Sequence, residues 1–426
     1  MTSRRALAAV FLVSLALNLS YLVAFGNRLT VHGDAEAYDK MGIDLAQGEG
    51  FPTTGGLQPK REPGYPIFLA AVYMVAGHAP TAVRAVQALL ASTLCLLVFL
   101  LARQLARAGT VPASLPIVAA ALTAGYPPFI FYGGELMRET VFTWLTLLAF
   151  VALTAAVLEG RLRHAVIFGA ASGLAALVDA RLMYFPVFFG IVTLVAWRDW
   201  RRSLRFVAVS FGLALLVVLP WAVRNYVVLH RFVLLTASPY KGLWLVTNPD
   251  EFLEWDWERE PLKSLRWLPP EERDRALSRL AVENLVAHPG TYLASMPARF
   301  IRLWTGGHSE VVPPLKRSLA SGVATRDWDY VAVKSLFVGL NFVYLVGGII
   351  GAVLCLKRGG ARWGLHLIAF GVYLSILHSL LFATPRYHLP AMPLMIVLFA
   401  FAATSWLGAR RTAREPLRAV ARVASR

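Results

Sequence analysis

The sequence predicts an all-α polytopic membrane protein with about ten transmembrane helices. Of its 426 residues, 57% are hydrophobic and 16% are charged, and the mean hydropathy is +0.57. Soluble domains usually carry about 25% charged residues, so this composition indicates a chain that lies mainly in a lipid bilayer. The two cysteines, Cys95 and Cys355, lie in apolar stretches without CxxC spacing, which predicts neither a disulfide framework nor a zinc site.

Apolar stretches of about 20 residues, the length needed to cross the hydrocarbon core, recur along the chain. The candidate spans are 6–26, 83–102, 111–131, 140–158, 164–180, 182–197, 206–223, 331–355, 364–382 and 389–407. Pro116 interrupts the third span, and Gly169 and Gly173 weaken the helical signal of the fifth. Arg4 and Arg5 precede the first span as in a signal peptide, but its length and the lack of a convincing small-residue cleavage site predict a retained anchor.

The distribution of basic residues predicts the orientation of the chain. With the amino terminus inside, the inner segments are 1–5, 103–110, 159–163, 198–205, 356–362 and 408–426. They hold 19 of the 42 Lys and Arg residues but only 3 of the 25 Asp and Glu residues. Because cytoplasmic loops are enriched in Lys and Arg, we expect both termini on the cytoplasmic side of the cell (inner) membrane. The basic tail is interpreted as an anchor near anionic lipid, which excludes nucleic acid as a partner.

Two long outer segments follow from this topology and divide the chain into three parts. We expect a transmembrane core at 1–223 that includes the outer loop 27–82, an outer region at 224–330 with interfacial helices, and transmembrane helices with a basic tail at 331–426. In the first loop, Asp34 is expected to cap an interfacial helix that ends near Gln47, and a short apolar stretch from Gly64 is expected to be a surface or re-entrant helix. In the outer region, an acidic loop at 251–260 precedes a helix start at Pro270.

Short motifs recur at the predicted outer ends of the spans. In chain order they are Gly33-Asp34-Ala35-Glu36-Ala37-Tyr38, Leu45-Ala46-Gln47-Gly48-Glu49-Gly50-Phe51, Arg61-Glu62-Pro63-Gly64-Tyr65-Pro66, Tyr126-Pro127-Pro128 with Leu136-Met137-Arg138-Glu139, Pro220-Trp221-Ala222-Val223-Arg224-Asn225-Tyr226, and Arg386-Tyr387-His388-Leu389-Pro390. Together they resemble the GT-C superfamily of membrane glycosyltransferases, in the branch of glycosyltransferase family 39 that contains protein O-mannosyltransferases and lipid A aminoarabinose transferases. The resemblance covers nearly the whole chain.

This resemblance implies a fold, a reaction and partners. The fold would be a GT-C-like bundle, and the reaction would move a hexosyl or pentosyl group from a polyprenyl-phosphate carrier to a hydroxyl, usually with inversion. The implied partners are the polyprenyl-phosphate sugar donor, the lipid bilayer and a hydroxyl-bearing acceptor in the cell envelope, which is a glycan, a lipid or a protein. The sequence leaves the sugar and the acceptor open.

Three acids are the predicted catalytic residues: Asp34, Glu36 and Glu139. A hydroxyl is a poor nucleophile, and a positioned general base accelerates such a reaction by about 10²–10⁴-fold. Asp34 is the expected base, with Glu36 in a supporting role, because residues two apart do not share a helical face. The alternatives are that Asp34 is only an N-cap, and that Glu139 is only a helix-start acid favoured by the macrodipole. Glu135 competes with Glu139 for its role.

A lipid-phosphate leaving group is best bound by arginine, which forms bidentate hydrogen bonds. The predicted donor-phosphate ligands are Arg61, Arg224, Arg386 and Tyr387, and the predicted substrate-binding residues are Tyr38, Tyr65 and Asn225. Arg138, Arg181, Arg224 and Arg386 all lie at outer span ends and are expected to converge on one headgroup. Arg224 has an alternative role as an interfacial arginine paired with an acid. Glu62 departs from the family pattern, which often has a non-acidic residue beside the arginine. This acid would either weaken phosphate binding by Arg61 or orient the Arg61 side chain.

The sequence does not decide whether the protein needs a metal cofactor, and it leaves a competing class of protein open. Asp34, Glu36 and Glu139 would suit Mg²⁺ or Mn²⁺, with Asp34 and Glu36 as the candidate ligands. His308 could bind a metal or the carrier phosphate, but a lone histidine of this kind is more simply an ordinary loop residue. The competing class is a transporter or flippase of lipid-linked sugars, which would place ionisable residues near the bilayer midplane. Only His366 and His378 are internal candidates of that kind, so the enzyme is favoured. A non-catalytic protein of the same fold is a third possibility.

Overall fold

The computed structural model describes residues 3–29, 31–51, 61–108, 111–230, 232–236, 240–248, 260–306, 308 and 312–424. Within these ranges the chain forms helices and no β-strand, as predicted. The α-helices are α1 (Ser3–Phe25), α2 (Asp34–Ala46), α3 (Gly64–Ala76), α4 (Pro80–Arg107), α5 (Leu115–Ala124), α6 (Pro127–Gly134), α7 (Glu139–Glu159), α8 (Leu162–Val178), α9 (Phe185–Trp197), α10 (Trp200–Leu229), α11 (Tyr240–Thr247), α12 (Leu262–Leu265), α13 (Pro270–Ala287), α14 (Pro289–Ala294), α15 (Met296–Thr305), α16 (Leu319–Ala324), α17 (Trp328–Lys357), α18 (Ala361–Leu380) and α19 (Met392–Ala424).

Eight of the described helical segments are long and apolar enough to cross a membrane. They are Arg4–Phe25, Pro80–Arg107, Glu139–Glu159, Ala180–Trp197, Trp200–Leu229, Trp328–Lys357, Trp363–Leu380 and Pro385–Gly408. Each overlaps one of the ten predicted spans. The pair α5 and α6 makes a ninth if it is counted as one bent span, and α8 is a shorter apolar helix of 17 residues. The predicted all-α multi-pass membrane protein is therefore confirmed.

The third predicted span differs from the observed structure at its prolines. Pro116 does not interrupt a helix; it lies in the first turn of α5, where its missing N–H costs no hydrogen bond. The break comes at Tyr126, whose backbone is extended before Pro127 (ψ 107°), and α6 leaves α5 at an angle of 48°. Steric contact with the proline ring disfavours the helical conformation at the residue before it, which explains the position of the bend.

The glycines of α8 allow α10 to approach closely. A Cβ at Gly169 would lie 2.3 Å from the carbonyl oxygen of Ser210, and one at Gly173 would lie 2.9 Å from that of Ala214. Small residues at such contacts let the backbones of membrane helices pack together without large side chains between them. Gly169 and Gly173, which weakened the helical signal in the sequence, are therefore packing residues of the fifth predicted span.

The first outer segment forms α2 and α3, which pack against each other. The N-cap of α2 is Gly33, with φ of 62°, so Asp34 is the first residue of the helix. The prediction that Asp34 is the N-cap is therefore wrong, and its side chain makes no capping hydrogen bond. A Cβ at Gly42 would lie 2.7 Å from the Cβ of Leu69, which shows how closely α2 lies on α3.

The second outer segment is also helical. As predicted, α13 begins at Pro270 and ends just before Pro289. Most of the acidic loop predicted at 251–260 lies outside the described residues. The chain that follows forms two short helices, α14 and α15, which meet at Ser295. The division of the chain into three parts stays a prediction.

Candidate active site

Asp34 lies between two arginines that come from distant parts of the chain. Arg61 Nη2 donates to Asp34 Oδ1 at 2.7 Å, and Arg386 Nη2 donates to Asp34 Oδ2 at 2.9 Å. Asp34 stands in the first turn of α2, Arg61 precedes α3, and Arg386 belongs to the 3-10 helix Pro385–Ala391 that leads into α19. The Asp34 side chain remains 36% exposed, so this ion-pair cluster is open to an incoming molecule.

Glu139 joins the same cluster through Arg386. Arg386 Nε lies 3.7 Å from Glu139 Oε1, and Glu139 is buried at the start of α7. Its second oxygen, Oε2, is buried and has no hydrogen-bond partner among the described residues. A buried carboxylate oxygen without a partner is costly in a folded protein, so this atom is suited to receive a hydroxyl or another donor from a bound molecule.

The two arginines determine the charge state of Asp34. Burial by itself would raise the pKa of Asp34, but Arg386 and Arg61 outweigh it and lower the pKa to about 2. The carboxylate is therefore ionised at neutral pH. A carboxylate held this firmly is a weak proton acceptor until one of its arginines is occupied elsewhere.

A set of tyrosines supports the Arg61 side of the cluster. The Arg61 guanidinium lies 4.6 Å from the centroid of the Tyr38 ring, and the Tyr38 ring packs edge-on against Tyr65 at 4.9 Å. The Tyr65 hydroxyl donates to Gln87 Oε1 at 2.6 Å. Tyr38 and Tyr65 are both buried. Tyr38 therefore packs against Arg61, and Tyr65 in turn supports Tyr38.

A second ion-pair cluster was not predicted as a unit and centres on Asp179. Arg138 Nη1 donates to Glu62 Oε2 at 2.6 Å, and Arg138 Nη2 lies 3.1 Å from Asp179 Oδ2. Arg181 Nε donates to Asp179 Oδ1 at 2.8 Å. The only sequence signal for Asp179 is an acid between two apolar helices and two residues before an arginine. Glu62 orients Arg138 here, and no direct contact between Glu62 and Arg61 is observed.

Tyr387 connects the second cluster to the first. The Arg181 guanidinium lies 4.3 Å from the centroid of the Tyr387 ring, and the neighbouring residue Arg386 binds Asp34. Arg181 Nη1 also lies 3.1 Å from His378 Nε2. Arg181, His378 and Tyr387 line a cavity of about 230 Å³ together with Glu62, Arg138 and Asp179. Arg138 and Arg181 thus lie close to Arg386, and the predicted convergence of these three with Arg224 on one headgroup stays a prediction.

Arg224 and Asn225 lie away from the acid clusters. Arg224 Nη2 donates to the carbonyl oxygen of Phe51 at 3.3 Å, and its guanidinium lies 5.0 Å from the centroid of the Trp221 ring. Asn225 is buried and its amide donates to the carbonyl oxygen of Val233 at 3.0 Å. Neither residue shares a described ion pair with Asp34, Glu139 or Arg386. Their predicted roles in binding therefore have no direct structural support.

Glu36 and Glu135, the remaining acids of interest, differ sharply in their surroundings. Glu36 is exposed and makes no side-chain hydrogen bond or ion pair with described residues. Glu135 caps the end of α6, where burial is the main cause that raises the pKa of its carboxyl to about 7. Since an effective general base has a pKa near the working pH, Glu135 is a second candidate proton acceptor.

The described residues do not present a complete metal site. No group of three or more His, Cys, Asp or Glu side chains in the described ranges could hold a metal ion. Both carboxylate oxygens of Asp34 accept hydrogen bonds from guanidinium groups, whose charge would repel a cation. The divalent-cation site at Asp34 and Glu36 stays a prediction.

His308 is more than the ordinary loop histidine that was predicted. It is buried, with Nε2 lying 3.0 Å from His388 Nε2 and Nδ1 lying 3.4 Å from the hydroxyl of Tyr132. Burial is the main cause that lowers the pKa of His308, and the neighbouring His388 lowers it further. We interpret the pair as a neutral hydrogen-bonded contact that fixes the loop before α16 against the segment that carries Arg386.

A solved structure shares the fold of this chain. The chain is similar to the archaeal oligosaccharyltransferase AglB from Archaeoglobus fulgidus, solved in complex with an inhibitory peptide and a dolichol-phosphate, with a TM-score of 0.55 and 15% sequence identity. The match covers 96% of this chain and 52% of AglB, so the chain spans about half the length of that relative. At this identity the likeness shows the fold alone, and the predicted GT-C-like bundle is confirmed.

The sequence comparison matches part of the chain to a family. Residues 58–223, which are less than half of the chain, match the family described as dolichyl-phosphate-mannose-protein mannosyltransferase, so this segment is similar to that family. The segment includes Arg61, Tyr65, Glu139 and the Asp179 cluster, whereas Asp34 and Arg386 lie outside it. No curated protein sequence matches the chain. The predicted resemblance to this group of glycosyltransferases is thereby confirmed for residues 58–223.

Proposed function

We propose that the protein is a membrane glycosyltransferase that moves a sugar from a polyprenyl-phosphate carrier to a hydroxyl acceptor on the outer face of the membrane. The acceptor is a glycan, a lipid or a protein of the cell envelope. The observation that carries the proposal is the placement of Asp34 between Arg61 and Arg386 at one end of a GT-C-like bundle. The family match over residues 58–223 supports the sugar-transfer chemistry.

The proposal assigns the arginines to the donor phosphate. Arg61 and Arg386 present guanidinium groups to the same carboxylate, 2.7 and 2.9 Å away, so a phosphate in this place competes for the same hydrogen bonds. The two guanidinium groups of Arg61 and Arg386 balance the two carboxylates of Asp34 and Glu139. A bound phosphate would therefore add negative charge to a cluster that has no net charge. Arg138 and Arg181 of the adjoining cavity provide further positive charge close by. Arginine is well suited to phosphate because its N–H groups match two phosphate oxygens at once.

The proposed reaction is a single displacement at the anomeric carbon of the sugar. Asp34 removes the proton of the acceptor hydroxyl as its oxygen bonds to that carbon. The bond between the carbon and the phosphate oxygen breaks, and the phosphate leaves with the electron pair towards Arg61 and Arg386. When the phosphate occupies these arginines, Asp34 loses the hydrogen bonds that lower its pKa and becomes a stronger base. Donor binding thus prepares the base.

The remaining predicted residues receive supporting roles in the proposal. Tyr38 and Tyr65 orient Arg61, Tyr387 orients Arg386, and Glu139 offers its free oxygen Oε2 to the acceptor or the sugar. Glu36, which is exposed, supports the acceptor side, and Arg224 with Asn225 holds the neighbouring outer loop.

The experiment compares three single variants with the wild-type protein. Asp34→Asn, Glu135→Gln and Asp44→Asn are purified and supplied with radiolabelled polyprenyl-phosphate sugars and a cell-envelope extract. Asp44 lies in α2 like Asp34, but it pairs with Lys40 at 3.3 Å, so its variant is the matched control. We expect Asp34→Asn to lose at least about 10²-fold in rate, because a positioned base contributes about 10²–10⁴-fold. The control should stay close to wild type.

The outcomes separate the alternatives. Full activity in Asp34→Asn together with a large loss in Glu135→Gln transfers the role of the base to Glu135. Wild-type protein that moves labelled lipid across vesicles but forms no transfer product with any donor contradicts the enzyme and favours the flippase. The labelled product identifies the acceptor.

A further inference from the structure

The end of the bundle opposite the candidate active site contains a basic cavity. The helix α7 begins at Glu139 in the candidate site and ends at Glu159, and its 21 residues span about 31 Å. The cavity lies just beyond that end, between the α7–α8 and α9–α10 connections, with a volume of about 440 Å³. It is therefore separate from the candidate site by roughly the thickness of the hydrocarbon core.

The cavity is lined by four arginines and one acid: Arg161, Arg201, Arg202, Arg205 and Asp199. One oxygen of Asp199 accepts the backbone N–H groups of Arg201 and Arg202 at 3.0 and 3.1 Å, where it caps the start of α10. The Asp199 carboxylate thus caps the N-terminus of α10. No described ion pair joins this carboxylate to an arginine side chain of the cavity. Arg161 also pairs with Glu159, Nε to Oε2 at 3.7 Å, so the excess of positive charge that suits an anion comes from Arg201, Arg202 and Arg205.

The position of Arg202 is determined by its neighbours. Its guanidinium lies 4.5 Å from the centroid of the Trp197 ring, and Trp197 Nε1 donates to the carbonyl oxygen of Val157 at 3.2 Å. Gly160 has φ of 68°, and a Cβ there would lie 1.1 Å from Arg202 Nη2. The guanidinium of Arg202 thus lies directly over Gly160 in this structure. Arg202 is therefore held between Trp197 and Gly160, whereas Arg161, Arg201 and Arg205 are exposed side chains at the rim of the cavity.

The surroundings of the cavity are apolar. Trp200, Leu162 and Leu204 are 61%, 54% and 58% exposed beside it. In a membrane protein such side chains at a helix end face lipid, and tryptophan prefers the level of the headgroups. An anion bound among them would have its charged group at the arginines and an apolar portion against the leucines. A phospholipid has this form, whereas inorganic phosphate lacks the apolar part.

We propose that this cavity binds the phosphate headgroup of an anionic phospholipid in the leaflet that faces away from the candidate active site. Basic pockets between helices on the cytoplasmic side of a membrane are suited to anionic headgroups. The bound lipid would hold the α7–α8 and α9–α10 connections together. The proposal does not depend on the transferase reaction.

The test measures lipid binding to the purified full-length protein in detergent by native mass spectrometry. The probes are phosphatidylglycerol, phosphatidylcholine of the same acyl chains, and inorganic phosphate as a competitor. Arg201→Gln with Arg205→Gln removes two cavity arginines. Arg103→Gln with Arg107→Gln, which are exposed near the end of α4, removes the same charge from the same predicted face. Arg201→Lys with Arg205→Lys keeps the charge.

We expect phosphatidylglycerol to bind the wild type more tightly than phosphatidylcholine, and the cavity glutamine variant to lose about 30-fold, since each arginine near anionic lipid contributes about fivefold. The α4 variant should lose less than about threefold, and the lysine variant should retain most binding, which shows that the cavity still folds. An equal loss in the α4 variant, no preference for the anionic lipid, or full displacement by millimolar phosphate would each overturn the proposal.

Discussion

Asp34 shows how a single residue can be recognised in the sequence while its chemical state is not. The run around Asp34 is visible as two acids beside the first span. Its partners are not, because Arg386 lies 352 residues further along the chain. The distance between these residues depends on how α2 and the 3-10 helix before α19 come together. The low pKa of Asp34 follows from that contact.

The pH dependence of stability tests the Asp34 cluster. The pKa of Asp34 is about 2 in the folded protein, against about 3.9 for an unfolded aspartate. The ionised carboxylate therefore stabilises the fold above pH of about 4, and this contribution is lost as the pH falls towards about 2. We expect wild type to unfold at a higher temperature than Asp34→Asn at neutral pH, with a difference that shrinks below pH of about 4. Tryptophan fluorescence in detergent measures both midpoints.

A difference that grows as the pH falls would contradict this assignment. It would mean that protonated Asp34 is the form that the folded protein prefers. A constant difference down to pH of about 2 would show that the two arginines do not hold the carboxylate in the ionised state.

At the scale of elements, the contact between α3 and α8 positions both ion-pair clusters. A Cβ at Gly64, the first residue of α3, would lie 2.8 Å from the backbone carbon and oxygen of Leu177 near the end of α8. Arg61 and Glu62 directly precede α3. Because Leu177 contributes backbone atoms, the contact cannot relax by a change of side-chain rotamer. The register of α3 on α8 therefore determines where Arg61 and Glu62 lie.

The variant Gly64→Ala tests this register. The added methyl group forces α3 away from α8, and we expect a destabilisation of about 1–3 kcal/mol, as for other overpacked sites. We also expect more than a tenfold loss of sugar transfer, because Arg61 moves relative to Asp34. Gly212→Ala in α10 is the control, since no atom lies within 4 Å of its added Cβ. Unfolding midpoints and transfer rates of both variants are compared with wild type.

Unchanged activity in Gly64→Ala would mean that the contact with Leu177 does not position Arg61. The control Gly212→Ala shows whether a loss in Gly64→Ala comes from the contact with Leu177 or from replacing any helical glycine by alanine. Alanine is favoured over glycine inside helices by about 0.5–1 kcal/mol, so Gly212→Ala should be neutral or slightly stabilising.

For the whole molecule, the two ends of the bundle differ in charge. One end holds mixed clusters in which Asp34, Glu139, Glu62 and Asp179 are matched by arginines. The other end holds the cavity with four arginines and one acid. From the positive-inside rule we propose that the arginine-rich end faces the cytoplasm and the mixed end lies on the outer face.

Cysteine labelling tests this orientation. The natural residues Cys95 and Cys355 are both buried and should not react in the folded protein. Glu36 and Arg107 are exposed at opposite predicted faces. We expect a membrane-impermeant maleimide to label Glu36→Cys in right-side-out vesicles, and to label Arg107→Cys only after the vesicles are opened. The reverse pattern would place the candidate active site on the cytoplasmic side.

Some properties of this protein follow from local composition and are therefore predictable from the sequence. Hydropathy predicted the multi-pass helical fold, because a span needs only a run of apolar residues. The ordered motifs predicted the GT-C-like fold. The positions of Arg138, Arg181, Arg224 and Arg386 at span ends predicted one shared headgroup site, and the first two of them line one cavity. Other properties depend on how helices rotate and tilt against one another. Only the tertiary structure paired Asp34 with both Arg61 and Arg386, joined Glu62, Arg138 and Asp179, and placed Arg224 apart from them, because each of these contacts joins helices that no local pattern brings into register.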